Sequence, residues 1–117
     1  MRLAKFKMIG TNINQYWETP MTITIFLEFT AKAGTGGDLL AALKEILPDT
    51  RSYDGCIAND VYRSQENPDT LMIHGTWETK EKYETYLAWR QETGVFDKFT
   101  EGLEGPPNLR YFDPTDA

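Results

Sequence analysis

The chain alternates apolar and polar residues at period two in several short stretches, each of which predicts a half-buried strand. The clearest is Met21–Ala31, where Ile23, Ile25, Leu27 and Phe29 alternate with Thr22, Thr24, Glu28 and Thr30. Phe26 interrupts the polar side, so that side is expected to be covered too. In Thr70–Trp77, Leu71, Ile73, Gly75 and Trp77 fall on one face, and Met72, His74 and Thr76 on the other. Gly55–Ser64 alternates weakly, with Ile57, Asn59 and Val61 sharing a face, and Leu109–Phe112 is a short last strand. Two stretches are helical instead. From Asp38, residues Leu39, Leu40, Leu43, Ile46 and Leu47 form one apolar stripe, which Pro48 should end or kink before a further turn through Asp49–Ser52. After an N-cap at Thr79, residues Tyr83, Tyr86, Leu87 and Arg90 share a helix face until Gly94 interrupts, and Val95, Phe96 and Phe99 restart the pattern. Lys32–Gly37, Gln65–Asp69 and Gly102–Pro107 read as turns.

The order β-α-β-β-α-β predicts an α+β, ferredoxin-like fold, with a four-stranded antiparallel sheet and helices on one face. Residues 21–117 form one domain. Residues 1–20, closed by Pro20, read as an arm or leader whose Tyr16 and Trp17 could pin it to a surface or partner. With helices on one face only, Phe26, Met72 and His74 need other cover. A second copy using the same face supplies it, which predicts a homodimer.

Composition narrows the function class. The chain has 117 residues, 40% hydrophobic and 26% charged, as expected of one soluble globular domain. The net charge is −6; residues 1–20 carry +2 (Arg2, Lys5 and Lys7 against Glu18), which leaves −8 for the remainder. That balance argues against nucleic acid and anionic membrane as partners. Cys56 is the only cysteine, so no internal disulfide forms, which fits a reducing cytoplasm. No apolar run is long enough to span a bilayer, and the N-terminus lacks the apolar segment of a signal peptide.

Candidate chemistry concentrates in Leu71–Arg90. Trp77 ends a strand just before a helix turns back, so its indole can meet Tyr83 and Tyr86 over one cleft. Trp77 could donate its N–H to a ligand oxygen, and the two phenols could orient a ligand by hydrogen bonds. Trp89 lies slightly off that face. His74 is the only histidine and so the natural general base near neutral pH, yet its strand face is opposite that of Trp77, which favours an interface role. Asn59 and Arg63 on the neighbouring strand are candidate polar contacts. Cys56 reads as a small buried residue with no catalytic partner at motif spacing. KAGTGG lacks both the phosphate-loop lysine and the GxGxxG pattern, and no HExxH, CxxC or paired-histidine spacing predicts a metal.

Taken together, IFLEFTAKAG, LAALKEILPDTR, DGC, VYRSQENPDTLMIHGTWET, YETYLAWR and the PP turn resemble the antibiotic biosynthesis monooxygenase family, the small dimeric α+β barrel proteins. The resemblance covers roughly residues 22–113. It implies a dimer packed through its sheets, with a cleft between sheet and helices in each subunit. Some members oxygenate phenols or quinols without metal or flavin, others degrade haem, and others act on small signalling molecules. Carried over by position, it points to Trp77 and, six residues on, Tyr83. Ile73 stands where the polyketide-pathway oxygenases have asparagine, a departure from their site. Tyr86 and Leu87 stand near the histidine by which haem-degrading members hold iron, which argues against haem degradation. The expected function is therefore a cofactor-independent monooxygenase, quinol monooxygenase-like, taking a small aromatic substrate and molecular oxygen. Ile73, Asn59, Arg63 and Trp89 are its expected substrate contacts. An isomerase on the same scaffold, favoured by Ile73, and a non-catalytic binding dimer, favoured by the lack of a base on the Trp77 face, stand beside it.

Overall fold

The computed structural model of the protein describes residues 22–117; the arm expected at residues 1–20, with Tyr16 and Trp17, lies outside the described residues. The elements are β1 (Ile23–Thr30), α1 (Gly36–Arg51), β2 (Cys56–Arg63), β3 (Thr70–Trp77), α2 (Lys80–Glu92), α3 (Val95–Thr100) and β4 (Asn108–Phe112). The strands form one antiparallel sheet in the order β2-β3-β1-β4, the ferredoxin-like arrangement.

Period-two alternation decides which residues meet the helices. Along β3, Leu71, Ile73, Gly75 and Trp77 are buried, while Thr70, Met72, His74 and Thr76 are only partly so. Ile25 and Phe29 of β1 join the same interior. From α1 the residues Leu39, Leu43, Leu47 and Thr50 reach it, and from α2 Tyr83, Tyr86 and Arg90, each set lying on one side of its helix. Gly94, at φ +80°, breaks the helix between α2 and α3, as its sequence position predicts.

Some local expectations are corrected in part. Pro48 does not end α1, which continues through the expected further turn to Arg51. Proline costs a helix one hydrogen bond, and here the following turn is held by the burial of Thr50. Ile57 does not share the face of Asn59 and Val61. The register between β2 and β3 shifts between Cys56 and Ala58, and this irregularity turns Ile57 outward, 54% exposed. Cys56, expected to be buried, is only partly so.

The start of α1 is clamped by the β2–β3 turn. Thr35 makes no side-chain cap. Asp69 replaces it, accepting from the Gly34 N–H at 2.9 Å and the Gly36 N–H at 2.8 Å. Those two backbone donors hold the Asp69 carboxyl below the usual carboxylate range. This contribution to stability is therefore present above about pH 4 and is lost as pH falls through the lowered folded value. The turn lies so close that a Cβ at Gly36 would stand 2.3 Å from the Pro68 carbonyl oxygen and 2.7 Å from Asp69 Cα. Gly37, one residue on, faces open space, its nearest neighbour being Arg63 Nη2 at 4.0 Å. Gly36→Ala is accordingly expected to cost about 1–3 kcal/mol in urea unfolding. Gly37→Ala should be neutral or stabilising by up to about 1 kcal/mol. Equal effects from the two substitutions would contradict the clamp.

Candidate functional site

The rings expected to meet do meet. Trp77 lies 5.2 Å from Tyr83 and 5.1 Å from Tyr86 between ring centroids, and Tyr53 adds its ring 5.3 Å from Tyr86. Trp77 has 0% exposure and its indole N–H has no partner among the described residues.

A cavity of about 250 Å³ opens between sheet and helices, lined almost wholly by carbon. Its walls include Ile73 of β3, Leu43 and Thr50 of α1, Tyr83, Tyr86 and Leu87 of α2, and Phe96 of α3. Asn59 of β2 also lines it. No Asp, Glu, Lys, Arg or His is among the lining residues.

Asn59 is the unusual member of this wall. It is 4% exposed, and its side-chain Nδ2 has no hydrogen-bond partner among the described residues. A buried amide donor of this kind costs about 1–3 kcal/mol when left unpaired. Its place is made by Gly75, the residue opposite on β3. A Cβ at Gly75 would stand 2.8 Å from Asn59 Oδ1 and 2.9 Å from Ile25 Cγ1. The Asn59 backbone is held as well, its carbonyl accepting from Arg51 Nε at 3.0 Å.

The other candidates separate. Ile73, Asn59, Tyr83 and Tyr86 line the cavity; Trp77 does not, being packed within the aromatic cluster. Trp89 is also absent from the wall and lies tilted against Tyr53, with centroids 5.0 Å apart. Arg63 is exposed at the far end of β2, donating from Nε to the Pro68 carbonyl at 2.7 Å. His74 lies on the helix-free sheet face, stacked on Phe26 with centroids 5.0 Å apart. Burial pushes the Tyr83 phenol far up, with Tyr111 and Tyr86 adding to the shift, so it stays protonated and is no base near neutral pH. Among the described residues no group of three or more His, Cys, Asp or Glu side chains could hold a metal. No helix there is long and apolar enough to cross a membrane.

Thr50 and Arg90 were missed as site residues. Thr50 follows a proline at an expected helix end. Arg90 falls on the Tyr83–Tyr86 face, and a charge at a core-facing position was the available signal.

The model of the antibiotic biosynthesis monooxygenase family matches residues 22–95. The chain belongs to this family. Its fold is similar to that of a conserved protein from Methanosarcina mazei Go1 (TM-score 0.72, 18% identity, covering 83% of this chain and 96% of that one). It is also similar to Rv0793 from Mycobacterium tuberculosis (0.71, 19%, 82% and 97%). A third similar structure is itself an antibiotic biosynthesis monooxygenase (0.71, 15%, 80% and 98%). No curated protein matches the sequence.

The unpaired amide makes a stability prediction. Asn59→Leu, of similar size, removes a donor that no described residue uses. Its unfolding free energy in urea is expected to be unchanged or raised, by up to about 1–2 kcal/mol. A loss above about 2 kcal/mol would show that the amide has a partner within the fold.

Proposed function

We propose that the protein is a homodimeric, cofactor-independent monooxygenase that takes a small aromatic phenol or quinol in the cavity beside Asn59. The carrying observation is the Asn59 amide, a buried donor without a partner among the described residues, on a residue that lines an otherwise apolar, ring-sized cavity. A ligand oxygen bonded to Nδ2 removes the cost of the orphaned donor, and an oxygen that gains charge during reaction is held more tightly still. In the family's polyketide-pathway oxygenases an asparagine stands at the position of Ile73; here an asparagine enters from the adjacent strand instead.

The chemistry asks little of the protein. The deprotonated substrate passes one electron to oxygen and the two radicals combine. The resulting hydroperoxide loses water to leave a carbonyl, so one oxygen atom stays in the product and the other departs as water. No group lining the cavity is a ready base, and His74 faces the other way, so the substrate must ionise readily by its own acidity. The Phe26–His74 face, where Phe112 is 46% and Tyr62 56% exposed, is the proposed pairing surface. A monomer in sedimentation equilibrium would contradict that pairing. The lack of a base also supports a second reading, a ligand-binding dimer without turnover, which would bind the same phenols and return them unchanged.

Oxygen uptake decides between them. Metal-stripped, flavin-free protein is given naphthoquinols and anthrones, each against its autoxidation blank. Uptake above blank is expected, reduced about 100-fold by Asn59→Leu, and rising with pH as the substrate ionises. His74→Gln should leave that pH profile in place. Uptake at the blank rate across the panel would contradict oxygenation.

A further inference from the structure

A charge without a counter-charge stands behind the cavity. Arg90, in the last turn of α2, is 3% exposed. Its Nε donates to Tyr86 Oη at 3.0 Å, and its Nη2 to Thr50 Oγ1 at 3.0 Å and to the Ile46 carbonyl at 2.8 Å. The guanidinium also lies 4.6 Å from the Trp89 ring centroid and 5.4 Å from that of Tyr86. Among the described residues no carboxylate pairs with it; the ion pairs there join Lys82 to Asp54 and Glu78, and Arg110 to Glu28. A guanidinium keeps its charge at any working pH. The α2 terminus offsets part of that charge, yet a buried cation normally has an anion beside it.

The hydrogens around it do not all find acceptors. Thr50 Oγ1 and Tyr86 Oη are hydrogen-bonded to each other. Arg90 donates to both oxygens, so one hydroxyl donates to the other and the second hydroxyl's hydrogen has no acceptor within the triangle. Thr50 and Tyr86 both line the cavity. One O–H, on a residue of the cavity wall, therefore has no acceptor among the described residues, and the charge behind it strengthens it as a donor.

We propose that the Thr50–Tyr86–Arg90 triangle makes the cavity an oxyanion site, one that binds the ionised form of a phenol- or enol-type ligand in preference to the neutral form. This rests on the cavity being the ligand site and not on oxygenation. The titratable groups around the triangle are the phenols of Tyr83 and Tyr86 on α2 and of Tyr53 after α1, and burial keeps the first of these protonated. No formal charge lines the cavity itself, so the guanidinium behind the wall is the charge to account for an anion preference.

The probe is 4-nitrophenol, whose neutral and ionised forms absorb at different wavelengths. An apolar cavity alone raises the pKa of a bound phenol. The triangle is expected to lower it by about one unit below that of the free dye, roughly a tenfold preference for the anion. Arg90→Gln, and separately the volume-matched pair Tyr86→Phe with Thr50→Val, should turn this into a rise. Far-UV circular dichroism checks that each variant is folded, and the double variant keeps the test open if Arg90→Gln is not. A bound pKa at or above the free value in the unaltered protein overturns the proposal. So do equal shifts in protein and folded variants, or the absence of saturable dye binding. A lowered pKa without oxygen uptake would leave the oxyanion site standing and remove only the oxygenation reading.

Discussion

Alternation along the two central strands is the constraint on which the rest depends. In β3 every second residue is buried, and β1 is paired to it over its whole length. A slip of one residue would send Leu71, Ile73 and Trp77 to the helix-free face and bring His74 inside. The registered sheet therefore places the buried core, and the cavity, under the helices, and leaves Phe26 and His74 on the other side. Gly75 belongs to the same alternation. It sits at a buried position where a side chain is expected, and its missing Cβ is the space that Asn59 occupies.

Close-packed interiors hold few voids larger than a water molecule. An apolar cavity of about 250 Å³ left without a ligand forgoes the carbon–carbon contacts that a filled one makes. The same wall includes a residue whose amide has no partner among the described residues, and behind it stands a buried guanidinium with no carboxylate beside it among them. Each feature works against stability when the cavity is empty. All three become favourable together if an aromatic ring with an acidic oxygen fills the space, since carbon meets carbon and the oxygen meets donors. That convergence, more than any single residue, favours a phenolic ligand. It also accounts for a site without a base, because donors that favour the anion lower the acidity the ligand must bring with it.

Much of the fold was legible because burial imposes a period. Both central strands and the α2 face follow from spacing alone, and Gly94 marks a helix break that only a left-handed residue makes easily. What failed has local causes. Ile57 was misplaced because a register shift adds a residue without a sequence signature, and Pro48 because packing of the following turn outweighed one lost hydrogen bond. The site was less legible than the fold. Spacing brought Trp77, Tyr83 and Tyr86 together, but could not show that the tyrosines line the cavity while Trp77 is left out of its wall. Asn59 was a weak candidate because its strand alternates weakly, and its partner Gly75 lies on another strand. Arg90 was seen on the right helix face, but a charged residue there is ordinarily expected to reach solvent.

The central claim is that the Asn59 amide is unpaired because it waits for a ligand oxygen. A crystal structure with 2-naphthol bound tests it most directly. The account predicts the naphthol ring in the cavity between Ile73 and Phe96, with its oxygen roughly 2.7–3.2 Å from Asn59 Nδ2. An Asn59 amide bonded to another protein group, or a cavity left empty at saturating naphthol, would contradict it.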